Sequence, residues 1–292
     1  MRRFSVVAMA FALMFAIAGP VAGAGPCGLT EAGQWSEWGP PGGEQGIAGA
    51  IDVGIDNGGD VYVSAEGEGM IHVFTTDGNY LRSFEAKSPH GLSVDNKKVY
   101  NASWGAATVQ VFDKAGNLLV EWSDWIEDGA PMAFVLPLFI DVDARGFVYV
   151  TDNVLGQVRK FTPTGEWVAT FGEGATAVSV HGARVYITNP AGQVDVFTDH
   201  GDYLWSFGSP GAGDGQFEDP RGIEVAGGFI YVADTNQRRV QQFSLQGRYI
   251  SQVFDEDFER LDGVGADARG NVYVTDQFTN LVTWYKAKGA CM

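Results

Sequence analysis

Cys27 and Cys291 are the only cysteines in a chain of 292 residues. Neither sits in a Cys-x-x-Cys pair, which excludes a thiolate zinc site and a dithiol redox motif. Basic side chains are also scarce: 19 Lys and Arg face 36 Asp and Glu, for a formal net charge of −17. Such a surface repels phosphate backbones and offers no basic stripe, so nucleic acids and anionic membranes are disfavoured as partners. After residue 24 no segment holds a 3.6-residue apolar period, so almost no helix is expected. The apolar run Phe4–Ala18 falls short of the roughly 20 residues a membrane span needs. A phosphate-cradling glycine loop leading into a helix and a Gly-x-Ser-x-Gly nucleophile elbow are both missing.

Glycine is abundant. Its 40 copies are about twice ordinary usage, as many short strands and tight turns require. Residues 1–24 open with Arg2 and Arg3, continue through Phe4–Ala18 and close on Ala22-Gly23-Ala24. This is the pattern of a secretory signal peptide cleaved after Ala24. Residues 25–292 then form one exported domain, periplasmic or extracellular, with no membrane span, monomeric, and carrying a charge of −19 once Arg2 and Arg3 are gone.

That domain is a repeat. Val-Tyr-Val or a close variant recurs around Tyr62, Tyr100, Tyr149, Tyr186, Tyr231 and Tyr273, and a turn glycine follows at Gly78, Gly116, Gly165, Gly201, Gly247 and Gly289. Two independent markers give the same six copies. The fifth copy divides into four β patterns, Gly222–Ala226, Phe229–Asp234, Arg239–Ser244 and Tyr249–Val253. Four strands in about 40–45 residues make a propeller blade, so the fold class is all-β, a six-bladed propeller of four-stranded antiparallel blades. The blades run over about 47–84, 90–122, 137–171, 176–207, 221–254 and 263–289. The sixth copy lacks an outermost strand, while Glu31–Gly39 resembles the outermost strand of the fourth, His200–Gly208. The N-terminal strand is therefore expected to complete the last blade and leave no open edge. That closure brings the chain ends together, and export permits a Cys27–Cys291 disulfide.

Several motifs resemble the NHL-repeat family: Pro220-Arg221-Gly222-Ile223, Ile230-Tyr231-Val232-Ala233-Asp234, Arg239-Val240, and the two copies of Asp-Ala-Arg-Gly-x-Val-Tyr-Val-Thr-Asp at Asp143–Asp152 and Asp267–Asp276. The resemblance covers nearly all of residues 25–292 and implies the propeller. It leaves function open, because the family includes scaffolds, RNA binders and lyases. Its amidating lyases, which cleave peptidyl-hydroxyglycines, hold zinc with histidines from several inner strands. Ser88-Pro89-His90-Gly91-Leu92 resembles one such site, but the aligned positions Gly49, Leu138, Thr176, Arg221 and Asp262 supply no further histidine. No metal or other cofactor is expected.

Binding is instead expected at the channel mouth and in loops. His90, Thr176, Arg221 and Asp262 begin inner strands and form a candidate polar lining, with Arg221 and Asp262 on neighbouring blades. Asp152, Asp234 and Asp276 read as acceptors for turn amides, and Asp141 with Asp143 as a hairpin turn. The longest connection, Trp122–Pro137, mixes Trp122, Trp125 and Phe134 with acids. These aromatics form a contact surface or tuck onto the rim. The sequence thus points to a non-enzymatic propeller binding a protein, peptide or glycan, with a divergent lyase or hydrolase at the mouth as the alternative.

Overall fold

A computed structural model of the chain describes residues 29–35, 37–38 and 45–287. The expected signal peptide, Cys27 and Cys291 lie outside the described residues, and so does Gly289. The described chain forms six four-stranded antiparallel blades around a central channel, with no α-helix and a single 3-10 turn at Thr235–Gln237. The fifth blade is Pro220–Ala226, Phe229–Asp234, Arg239–Ser244 and Tyr249–Phe254, within two residues of the sequence reading. Leu29–Trp35 pairs antiparallel with Leu281–Ala287 and supplies the missing outermost strand of the sixth blade. The closing strand thus begins and ends earlier than Glu31–Gly39.

The repeated Val-Tyr-Val strand is buried on both faces. All six marker tyrosines are fully buried, packed between successive blades: Tyr62, Ile71 and Phe84 of the first blade meet Leu92, Val99 and Phe112 of the second. Burying each such ring is worth about 1.5–3 kcal/mol. The second marker has a steric reason. Gly116 turns at φ +91°, and a Cβ there would come within 2.4 Å of the preceding blade's Phe84 ring, so only glycine serves.

Every innermost strand begins at the same end of the channel, the mouth. The turns between second and third strands lie on that face, with the connections from each outermost strand to the next blade. The opposite face carries the hairpin turns between first and second and between third and fourth strands. There an aspartate closes turn after turn: Asp56, Asp95, Asp113, Asp143 and Asp267 each accept two backbone amides within the next four residues. On the mouth face Asp152 and Asp276 each accept four amides and Asp234 accepts two, the structural work expected of them.

Candidate functional site

The mouth is built on a ring of inter-blade hydrogen bonds. Two residues after the marker tyrosine, Ser64, Thr151, Thr188 and Thr275 each accept an amide from their own innermost strand, at 3.0 Å. Each then donates to the carbonyl of the first ring residue of the next blade: His90 at 2.6 Å, Thr176 at 2.8 Å, Arg221 at 2.9 Å and Ile51 at 2.7 Å. The strand pairing therefore puts Ile51, not Gly49, at the first blade's ring position. Ala50 pairs with Ala65 as Pro220 pairs with Asp234, so Ile51 is the counterpart of Arg221 and Gly49 falls two residues short of the ring.

Blades two and five carry alanine, Ala102 and Ala233, where the others have the hydroxyl. In those two blades the ring residue itself makes the tie. His90 Nδ1 lies 3.1 Å from the Leu138 carbonyl of the third blade and donates to it, which leaves Nε2 as the lone-pair nitrogen. Arg221 Nη1 donates to Asp262 Oδ1 of the sixth blade at 3.0 Å. Arg221 also meets Asp219 at 3.2 Å, and Arg260 meets the second Asp262 oxygen at 3.2 Å. His90 is only 9% exposed, edge-on to Phe139 at 5.5 Å and 6.2 Å from the Trp104 ring. Burial pulls its pKa down to about 4, with Arg221 and Arg260 adding to the fall against the pull of the Leu138 carbonyl, so the imidazole is neutral. Burial raises the Asp262 pKa and the two arginines oppose it. Thr176 is half-buried and offers its backbone carbonyl to the ring. Glu66 accepts from the Trp104 indole and feels the charges of Asp262 and Arg260, which places it in the same mouth.

Below the mouth the channel narrows to a cavity of about 80 Å³ lined by Asp52, Asp141 and Glu224 from alternate blades. Asp141 is therefore a channel residue, while its neighbour Asp143 alone closes the turn. Asp52 Oδ2 accepts the Leu92 amide at 2.8 Å, Ser93 Oγ donates to Asp141 at 2.7 Å, and the Val180 amide donates to Asp141 at 2.6 Å. These acids stitch blade to blade. Desolvation raises all three pKa values, Asp52 to about 8; the Asp141 charge adds to the rise at Asp52, and Asp141 and Asp52 add to it at Glu224. Sequence reasoning missed this trio. The signal available was Asp141 and Glu224 standing opposite the marker tyrosines Tyr149 and Tyr231 on buried strands. Among the described residues no group of three or more His, Cys, Asp or Glu could hold a metal ion.

The long connection resolves into a hairpin, Asp124–Glu127 with Ala130–Ala133, turned by Asp128 and Gly129 at positive φ. Trp125 and Phe134 are 6% and 5% exposed and pack on Phe161 at 5.4 and 5.6 Å; Trp122 lies half-buried against the same ring at 5.9 Å. The hairpin thus tucks its aromatics onto the blade, and its exposed apolar side chains are Ile126 and Val135 instead. Packing wins because one Phe ring offers three aromatics a dry surface.

No family model matches the sequence, and no curated protein matches it. Solved structures do. A gluconolactonase from Xanthomonas campestris aligns with a TM-score of 0.66 at 14% identity, over 82% of this chain and 87% of that one. A virginiamycin B lyase from Staphylococcus aureus, in a catalytically inactive histidine variant solved with quinupristin, gives 0.61 at 13% over 87% of both chains. BamB from Moraxella catarrhalis gives 0.52 at 14% over 88% of this chain and 99% of that one. These likenesses extend to the propeller fold.

Proposed function

We propose that the chain is an exported, non-enzymatic propeller of the NHL-repeat kind that binds a protein, peptide or glycan on its mouth face. One observation carries this reading. Among the described residues twelve large apolar side chains stay exposed; six of them (Trp104, Ile126, Val135, Val154, Phe254 and Phe278) stand on the mouth face. The other six lie on outermost strands, and the turns of the opposite face have none. Exposed apolar groups gathered on one face of a domain mark a contact surface. The polar ring residues support the same reading, since His90, Arg221 and Asp262 are occupied as ties between blades.

The test is a screen of immobilised peptides and glycans with the purified mature chain. Hits should lose at least about tenfold in affinity with Trp104→Ala or Phe278→Ser and keep it with opposite-face variants. Hits indifferent to both mouth variants would refute the reading. N-terminal sequencing of the protein recovered outside the cytoplasm should begin at Gly25.

A second reading keeps the mouth as an active site, because His90 is neutral and has one free nitrogen beside two guanidiniums. Lyase and lactonase neighbours share the fold. Turnover of a lactone, quinupristin or a peptidyl-hydroxyglycine that disappears in a folded His90→Ala variant would decide for it.

A further inference from the structure

We infer that the mouth face above the fifth and sixth blades docks a basic segment of a partner protein that also presents apolar side chains. The inference rests on the mouth-face reading and names the chemistry of the partner.

Charge is unevenly divided between the faces. From residue 50 onward, the segments joining strands on the mouth face hold 13 carboxylates against three basic side chains, those on the opposite face nine against five. Four of those nine acids, Asp56, Asp95, Asp143 and Asp267, cap turns, and Asp60 and Asp199 pair with Arg82 and Arg145. On the mouth face the surplus collects in two connections, residues 208–219 and 255–260, which together carry seven carboxylates and one basic residue, Arg260. Glu218, Glu256, Asp257 and Glu259 are exposed. Like charges this close repel, and the outlying Glu31 records it: burial first, then Asp255 and Asp257, raise its pKa.

Both connections are built rather than loose. The buried Arg239 pairs with Asp234 and donates to the carbonyls of Ala212, Gly213 and Gln216 at 2.9, 3.1 and 2.8 Å, tying residues 208–219 to the fifth blade. Phe217 and Phe258 anchor one connection each in the core. Two aromatics border the acids: Phe254 ends the fifth blade's outermost strand and Phe278 tops the sixth, 58% and 59% exposed.

An extended acidic surface carried on fixed loops, with aromatic anchors at its edge, complements a cationic segment with apolar residues. The carboxylates do not converge on a metal-sized space among the described residues, and the sign excludes phosphate backbones and anionic lipid.

The probes are three synthetic 14-residue peptides, built of lysine and leucine, glutamate and leucine, or lysine and serine, titrated by fluorescence anisotropy. The lysine–leucine peptide should bind, with affinity falling steeply from low to physiological salt. The lysine–serine peptide should bind at least about tenfold more weakly, and the glutamate–leucine peptide not at all. Replacing Glu256→Gln, Asp257→Asn and Glu259→Gln together should cost at least about tenfold. The matched opposite-face set, Asp77→Asn, Glu166→Gln and Asp202→Asn, should change affinity less than about twofold. Equal losses from the two sets, equal binding of the glutamate peptide, or calcium ions binding stoichiometrically and displacing the peptide would overturn the inference. Should it fall while Phe278→Ser still abolishes binding of the screened hits, only the charge assignment is lost. Hits that also ignore Trp104→Ala and Phe278→Ser would take the mouth-face reading with it.

Discussion

The two ends of this propeller are made by the same strands, yet they spend their residues differently. On the opposite face the turns are two to five residues long, and in five of them an aspartate is used up on local amides. Each such charge is spread over hydrogen bonds and leaves little for a ligand. On the mouth face the connections reach 14 residues, the exposed apolar groups gather, and acids outnumber basic side chains. Short turns are determined by backbone geometry. Longer connections are free to carry recognition, provided something buried holds them.

Arg239 is that buried support on the fifth blade, so Arg239→Ala is the hardest blow to the mouth face. Asp234 would be left buried and unpaired, a loss of about 3–5 kcal/mol. Melting should drop accordingly, and proteolysis should open residues 208–219 first. An unchanged digestion pattern would show that the connection is held otherwise.

The channel between the faces should make stability fall with rising pH. A carboxylate whose folded pKa is raised contributes stability fully present below about pH 3.8 and lost as pH rises through its folded value, about 8 for Asp52. His90, lowered to about 4, works the other way, losing stability as pH falls from about 6.5 toward 4. The two trends oppose each other below pH 6.5. Above it only the carboxylates act, and stability should fall by about 1.4 kcal/mol per pH unit for each group still titrating. Asp52→Asn should flatten melting temperature against pH between 6.5 and 8; an unaltered slope would mean Asp52 is ionised throughout.

On the opposite face Asp267→Ala removes acceptors from the Arg269 and Asn271 amides and should cost about 1–2 kcal/mol, with peptide binding unchanged. His90→Ala should cost about 1 kcal/mol by breaking the tie to Leu138, and Ala102→Ser, restoring the hydroxyl other blades use, should recover most of it. Failure of that rescue with the fold intact would return His90 to the list of groups kept for chemistry. Phe278→Ser should move stability by less than about 0.5 kcal/mol while reducing binding about tenfold, the sharpest separation of the two faces.

Much of this was legible in the residues. The fifth blade's strands, the closing N-terminal strand and the aspartate caps follow from period-two patterning and turn chemistry, which are local. The mouth was legible only in part. Aligning the repeats puts Gly49 in the ring, but the pairing of Ala50 with Ala65 gives that place to Ile51. Trp125 and Phe134 look like a contact surface until Phe161, 27 residues beyond Phe134, is seen to cover them.

By itself the sequence determined six blades, their order and the means of closing them, because a repeated strand pattern can bury its apolar faces only against copies of itself. Only the tertiary structure decided that Asp52, Asp141 and Glu224 share one channel, that His90 and Arg221 stand in for missing hydroxyls, and that residues 208–219 and 255–260 bring their acids to the mouth face. Those facts depend on which way side chains point after bulges in five of the six innermost strands and a full turn of the ring, and no local pattern carries that information.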